Sequence, residues 1–576
     1  MKSQIVFSNG KQVLKTDRGE TPFCAYVTYY TENARYEDFE SAGYHLYSVC
    51  CYFTSMPINS RSGFTPCRKN GIFDVKGSPD FSEFDEDVAD LLEKDPKALF
   101  FPRIYLSMPA WWVEENPGET VPTVANPEGR EMLFSDKFRS DGADMLREFM
   151  RHVENSSYRE NLVGYQISGG STQEWFHFDY NGSFCENAYP YFCRYMEEKG
   201  EKKPEKQAFL AGEYKLDYDA FANESVADVL EYFCSACKKE CDGRLIVGAF
   251  YGYALENHDL YNSGGFAMNR LIDSKNIDFF CSPFSYSDGR TLDRDLSYMV
   301  PYGSTKLHGK AYIIEADVRT FLTKYPDESR ENIRIKTLYR GASIWLGEKT
   351  EYKSMLQLRR AAAKVLTGSA ALWWFDMWGG WYASDGLMSE MARIRRLFDY
   401  KTGDELPSVS RAAIIIDEHI WGRYPNTPEN FVREFCKLSY LSGVVSDVYL
   451  TYDVEKIADD YDVFLFPQPD PDNKILDFLR SHGKTTAFGK DMTVEDILSA
   501  CKTAGVSPLC EAGDIVYEGN GIICYHAVKN REKTITLPVG YTAEKFYNAD
   551  DSVIEDNVIR ANVALSDTAF FRIVKK

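Results

Sequence analysis

The sequence contains no uninterrupted apolar run of roughly 18 residues, the length a bilayer demands, so no segment is expected to span a membrane. The opening Met1-Lys2-Ser3-Gln4-Ile5-Val6 lacks the apolar core of a secretory signal. The 14 cysteines fall at irregular spacing, which excludes a small disulfide framework. Without an export signal they are expected to stay thiols in a reducing cytoplasm. Basic residues are in deficit, 66 Lys and Arg against 87 Asp and Glu, and the formal net charge of −21 argues against nucleic acid or an anionic membrane as partner. Internal repeats, low-complexity linkers and a Gly-rich phosphate loop are all missing.

What the chain does have is length and rings. Its 576 residues suffice for several domains and at least one large core. Aromatics make up 15% of it, with 9 Trp, 38 Tyr and 37 Phe. The apolar CH faces of sugars pack well on aromatic faces, so a small carbohydrate is the partner this composition suits; the alternative is that a large core simply contains many rings.

Strand-like runs alternate with amphipathic stretches over the first 404 residues. Residues 1–23 read as a short hairpin with a turn at Asn9-Gly10. The runs Cys24–Thr28, Tyr44–Cys51, Ala98–Leu106, Leu162–Ser168, Arg244–Phe250, Ile277–Ser282, Ala311–Glu315 and Ala370–Asp376 follow. Helical spacing marks Ser82–Glu93, Ser135–Glu154, Ala220–Glu240 and Glu351–Leu366. Eight such alternations imply a (β/α)8 TIM barrel with long loops, the first of three domains (1–404). In 405–512 the short apolar runs Ala412–Asp417, Val445–Tyr449 and Asp462–Pro467 imply a three-layer α/β domain with a parallel sheet, with no nucleotide assigned. In 513–576 the runs Asp514–Glu518, Gly521–His526, Thr534–Leu537 and Thr568–Val574 imply a small antiparallel β domain.

Chemistry is expected where barrel strands end. Ala311–Ile314 is a buried run that ends on Glu315, with Asp317 and Arg319 close behind. The unremarkable reading is a carboxylate neutralised by Arg319. The fourth run leads into Gly169-Gly170-Ser171-Thr172-Gln173-Glu174-Trp175-Phe176-His177. A carboxyl beside an indole is partly desolvated, which raises its pKa and suits a general acid; otherwise Glu174 is a loop residue in water. Strands four and seven face each other across a barrel, so Glu174 and Glu315 could flank one glycosidic bond. Retaining glycosidases hold such carboxyls about 5 Å apart, one attacking C1 and one protonating the leaving oxygen.

At this point the chain resembles clan A glycoside hydrolases, and within them the family 42 β-galactosidases. The resemblance is carried by Phe101-Pro102-Arg103-Ile104-Tyr105-Leu106-Ser107-Met108-Pro109-Ala110-Trp111-Trp112, by Gly164-Tyr165-Gln166-Ile167 and by Glu315. It implies a retaining exo-acting β-glycosidase with Glu315 as nucleophile and Glu174 as acid/base, and a flavodoxin-like second domain used for contacts in a homo-oligomer. One departure stands out. The family has Asn-Glu directly after the strand-four segment, where this chain has Gly169 and Gly170, and the carboxylate arrives four residues later. Gln173 would take the place of the Asn that binds the sugar 2-hydroxyl. Tyr286 is expected to hydrogen-bond the nucleophile, and Trp378 to floor the sugar subsite. Trp175, Trp111 and Trp112 are candidates for the pocket and its rim. Arg103, inside strand three, needs a carboxylate partner or a substrate.

Cys234, Cys237 and Cys241 fall on one face of a helix. Relatives with a structural zinc invite a metal reading, but no fourth ligand is evident, so they are read as ordinary thiols, with neither metal nor cofactor assigned. Two other readings remain open. One is a glycosidase for another sugar (a β-glucosidase, arabinosidase or uronidase). The other is a non-catalytic barrel that binds carbohydrate.

Overall fold

A computed structural model describes the whole chain except residues 9, 58, 60–69, 124, 178–183, 257–263, 287–289, 330–344, 400–401, 408–410 and 420–430. The turn expected at Asn9 falls outside the described residues; its neighbour Gly10 has φ +72°. The N-terminal segment forms a three-stranded antiparallel sheet, Ser3–Ser8, Lys11–Thr16 and Gly19–Pro22. It is tied to the barrel's lower end through Ser3, whose amide donates to the Arg244 carbonyl.

Eight parallel strands then close a barrel in chain order: Cys24–Val27, Leu46–Tyr52, Leu99–Tyr105, Gly164–Ser168, Ile246–Phe250, Phe279–Pro283, Ala311–Ala316 and Ala371–Phe375. All eight are buried along their whole length, which is why they read as continuous apolar runs and not as alternating ones. The helices between them begin where the sequence supplies a cap. The side chain of Ser135 accepts from the Phe138 amide to start Asp136–Glu154, and that of Thr350 accepts from Lys353 to start Glu351–Gly368. Inside the barrel Phe23, Phe101, Phe279 and Trp373 lie within ring contact of one another through Phe101. They form an apolar floor beneath the polar side chains higher up.

The second domain is a four-stranded parallel sheet in which Ala412–Ile416 lies between Ser446–Leu450 and Val463–Phe466, with Thr485–Phe488 at the edge. Alternate residues of its central strand serve two cores. Ala412, Ile414 and Ile416 pack with Val432, Phe435 and Ile497, while Ala413 and Ile415 pack with Ile457, Leu476 and Leu479. The edge strand was not legible in the sequence, because Thr485–Phe488 is only half-buried and carries no apolar run. The last domain has two antiparallel sheets, one of four and one of three strands, around a shared core that includes Ile523, Ile535, Ile559 and Phe571. No helix among the described residues is long and apolar enough to cross a membrane.

Cys234, Cys237 and Cys241 are all buried along helix Lys215–Glu240 and its end. Burial pushes the Cys234 and Cys237 thiols up.

Candidate active site

The polar groups of the barrel gather at the carboxyl ends of its strands. Arg103 projects inward from the third strand, and its Nη1 lies 2.8 Å from Oε2 of Glu315 on the seventh. Both side chains are at least 95% buried. The indole of Trp373, on the eighth strand, donates to the same oxygen at 3.3 Å. Four rings surround the guanidinium: Phe250 at 4.5 Å, Tyr105 at 5.3 Å, Tyr29 at 5.4 Å and Phe375 at 5.7 Å from their centroids. This collar surrounds the cation, and among the described residues Glu315 is its ion-pair partner. Arg319 does not neutralise Glu315. It pairs with Asp317, which also receives Arg290 Nη1 at 2.6 Å.

Glu174 arrives by a different route. The segment after strand four folds back on itself, with the Trp175 amide donating to the Gly169 carbonyl at 2.8 Å and the Ser171 amide to the Phe176 carbonyl at 2.7 Å. The turn needs left-handed backbone at Gly170 (φ +75°) and at two non-glycine residues, Gln173 (φ +67°) and Trp175 (φ +62°), on either side of Glu174. A bulky residue in this region costs free energy and persists only where its surroundings impose it. Here the indole of Trp175 imposes it. The ring lies against Gly169, where an added Cβ would come within 2.8 Å of it, and its Nε1 donates to the Ile167 carbonyl. The two glycines are thus the space into which Trp175 packs.

The Glu174 carboxyl, returned to the pocket by this turn, accepts from Thr172 Oγ1 at 2.7 Å and from Tyr253 Oη at 2.8 Å. Burial pushes it above the ordinary glutamate value, against those two hydrogen bonds. Burial also pushes Glu315 up, to about 7, while Arg103 pulls it down and the charges of Asp317 and Glu174 push it further up. Glu315 faces a permanent cation and Glu174 faces two neutral hydroxyls.

The other expected site residues are placed as follows. Trp175 does not line the pocket, being 1% exposed and packed toward Phe233 of helix Lys215–Glu240. The desolvation of Glu174 therefore does not come from its indole neighbour in sequence. Trp112 is 1% exposed and donates to Asp141 on the outer helix, so it belongs to the barrel wall. Trp111 is half-buried, with its Nε1 on the Phe73 carbonyl and Lys76 over its ring. Gln173 is buried and donates to Ser107 Oγ at 3.1 Å, which in turn receives Arg130. Tyr286 makes no hydrogen bond to Glu315 among the described contacts. Arg290 lies over its ring at 4.8 Å, and it packs with Phe176, Tyr253 and Met299. Trp378 packs against Tyr29 and Tyr30 at the mouth of strands one and eight.

Tyr29, Thr172, Tyr253, Arg290 and Trp373 were not assigned to the site from the sequence. Tyr253 stands just past strand five as Tyr286 stands just past strand six, and that shared placement was the available signal. Arg290 had none, because it reaches the site from a long loop.

No model of a known protein family matches the sequence, and no curated protein sequence matches it either. Solved structures do match. Over the whole length of both chains the fold is similar to that of Gan42B, a GH42 β-galactosidase, with TM-score 0.64 at 8% identity. It is also similar to a GH42 exo-carrageenase from Bacteroides ovatus (TM-score 0.59, 11% identity, 100% of this chain and 86% of that one). A β-galactosidase from Bacillus circulans sp. alkalophilus gives TM-score 0.58 at 11% identity over 95% and 98%. The chain has the clan A, family 42-like fold: a barrel, an α/β domain and a β domain in that order.

Proposed function

We propose that the protein is a glycoside hydrolase, acting as a retaining exo-β-glycosidase with Glu315 as nucleophile and Glu174 as acid/base. The observation that carries this reading is the pair itself. Two glutamates from opposite sides of the barrel share one electrostatic environment, one against a buried guanidinium and the other against two hydroxyls.

The residues divide the work as follows. Glu315, ionised against Arg103, attacks the anomeric carbon while Glu174 gives its proton to the leaving oxygen. The bond from C1 to the aglycone breaks as the bond to Glu315 forms. Once the glycosyl-enzyme ester exists, Glu315 carries no charge, and the Coulomb term that favoured a protonated Glu174 is gone. Glu174 then removes a proton from water as the water oxygen bonds to C1 and the C1–Glu315 bond breaks, which releases the sugar with its original anomeric configuration and restores the Glu315 carboxylate. Tyr253 and Thr172 hold the Glu174 carboxyl through both steps. Trp373 and Arg103 hold the oxygen of Glu315 that does not attack.

A β-galactoside is the first substrate to test, since two of the similar structures named above are β-galactosidases and a third is an exo-carrageenase. Other sugars are the second reading, because the hydroxyl contacts that sort them lie in loops. A panel of nitrophenyl glycosides tests the class. Glu315→Gln and Glu174→Gln are each expected to lower kcat by about a thousandfold or more, with proton NMR of the first product showing retained configuration. Turnover undiminished in either variant would remove the assignment.

A cytoplasmic setting is consistent with the described cysteines, all of them free thiols. The α/β domain is the proposed subunit contact. Its edge strand Thr485–Phe488 leaves Phe488 48% exposed, and sedimentation as a monomer only would discard this idea.

A further inference from the structure

We propose that Arg319 receives an anionic substituent of the substrate sugar, a sulfate ester or a uronate carboxylate, beside Glu315. This deepens the glycosidase reading and rests on it for the position of the sugar.

Arg319 lies four residues past Glu315, on the loop that leaves the seventh strand, and its side chain is 96% buried. One edge of its guanidinium is used: Nη1 donates to the Asp317 carboxylate and carbonyl. The other edge is bare. Nε and Nη2 are both buried and meet no acceptor among the described residues. These two N–H groups form the side-on fork of an arginine, whose spacing matches two oxygens of a carboxylate or sulfate. Leaving two charged donors dry and unpaired is costly, and protein structures seldom tolerate it without a use. The plane of the fork is fixed by two indoles, with the cation 5.0 Å from the Trp381 ring and 5.2 Å from the half-buried Trp345. The group is therefore held rigid with its recognition edge unspent, as a site prepared for an anion is.

The charge around the glutamates agrees. Asp317 is shared between Arg290 and Arg319, and Glu315 is matched by Arg103. With Glu174 protonated, three guanidiniums in this network face two carboxylates. A local positive excess in a chain of net charge −21 suits a substrate that brings its own negative charge. The charge of Asp317 bears on both Glu174 and Glu315, so Arg319 stands one ion pair away from the two glutamates.

The test compares nitrophenyl β-galactoside, its 6-sulfate and nitrophenyl β-glucuronide on wild type, Arg319→Gln and Arg319→Lys. At least one anionic substrate is expected to exceed the neutral one in kcat/KM by about tenfold or more at low salt, with the advantage shrinking as ionic strength rises. Arg319→Gln should erase that preference, and Arg319→Lys should restore only part of it, since a lysine keeps the charge and loses the fork. The sulfate and the glucuronide arms show which anion is taken. A neutral substrate hydrolysed as well as both anionic ones, or a preference unchanged in Arg319→Gln, overturns the proposal while leaving the glycosidase reading intact. If no glycoside is hydrolysed, that reading fails instead. Calorimetric titration of wild type with glucuronate and galactose 6-sulfate then decides this one: binding lost in Arg319→Gln upholds it, and no binding ends it. Thermal melts of both variants show whether the fold is kept.

Discussion

Arg103 on the third barrel strand and Glu315 on the seventh meet across the barrel axis at 2.8 Å, sealed from water by four aromatic rings and an indole. A buried ion pair of this kind is weak evidence of stability, because desolvating both charges offsets most of their attraction. Its effect on the carboxyl's titration is more direct. Arg103→Met removes the group that pulls the Glu315 pKa down, so that pKa should rise above its present value of about 7. The acidic limb of kcat/KM reports the fraction of ionised nucleophile, and it should move to higher pH. At pH 6 the loss in kcat/KM should reach about a hundredfold, and pH–rate profiles of both proteins would measure it. An unmoved limb would mean that Glu315 is not the group titrating there.

Tyr253→Phe tests the other carboxyl. The Tyr253 hydroxyl donates to Glu174 Oε1 and lowers its pKa. Its removal should raise that pKa and carry the basic limb to higher pH, with kcat reduced about tenfold because the acid is less well held. A purely structural tyrosine would lower activity without moving the limb.

Gly170→Ala should damage the site more than the fold. The backbone there is left-handed, and an added Cβ would lie 2.5 Å from the Phe176 carbonyl oxygen. The local cost is about 1–2 kcal/mol before any clash, small for a chain of this size. The turn that presents Glu174 has no slack, however, so activity should fall steeply while the melting temperature drops by only a few degrees. Calorimetry alongside kinetics separates the two.

Glu418 gives a prediction outside the site. It belongs to the α/β domain, is buried, and accepts the backbone amides of Met268 and Asn269 in the barrel, which ties the two domains together. Burial lifts its pKa to about 7. A carboxyl with a raised folded pKa contributes fully below its unfolded value near 4.5, and that contribution is lost as pH climbs to about 7. Wild type should therefore lose up to about 3 kcal/mol relative to Glu418→Gln between these limits, read as a pH-dependent gap in thermal stability. A gap constant over that range would contradict the assignment.

By itself the sequence determined the eight barrel strands, their order and the strand ends at which Glu174 and Glu315 stand. It could do so because each strand is buried on both faces and therefore appears as an apolar run, a local property. It also placed the parallel strands of the second domain except the half-buried edge strand Thr485–Phe488. The last domain was only partly legible: Val553–Glu555 and Val558–Asn562 are short, only partly buried, and take their place by pairing with each other. Only the tertiary structure decided who meets whom. Arg103 finds Glu315 across 212 positions of chain, Tyr253 finds Glu174 across 79, and Trp175 turns away from the carboxyl beside it because the two preceding glycines leave room for its ring. A side chain's partner depends on where distant strands close the barrel and on which way one strained turn points, and neither is encoded in the residues adjacent to it.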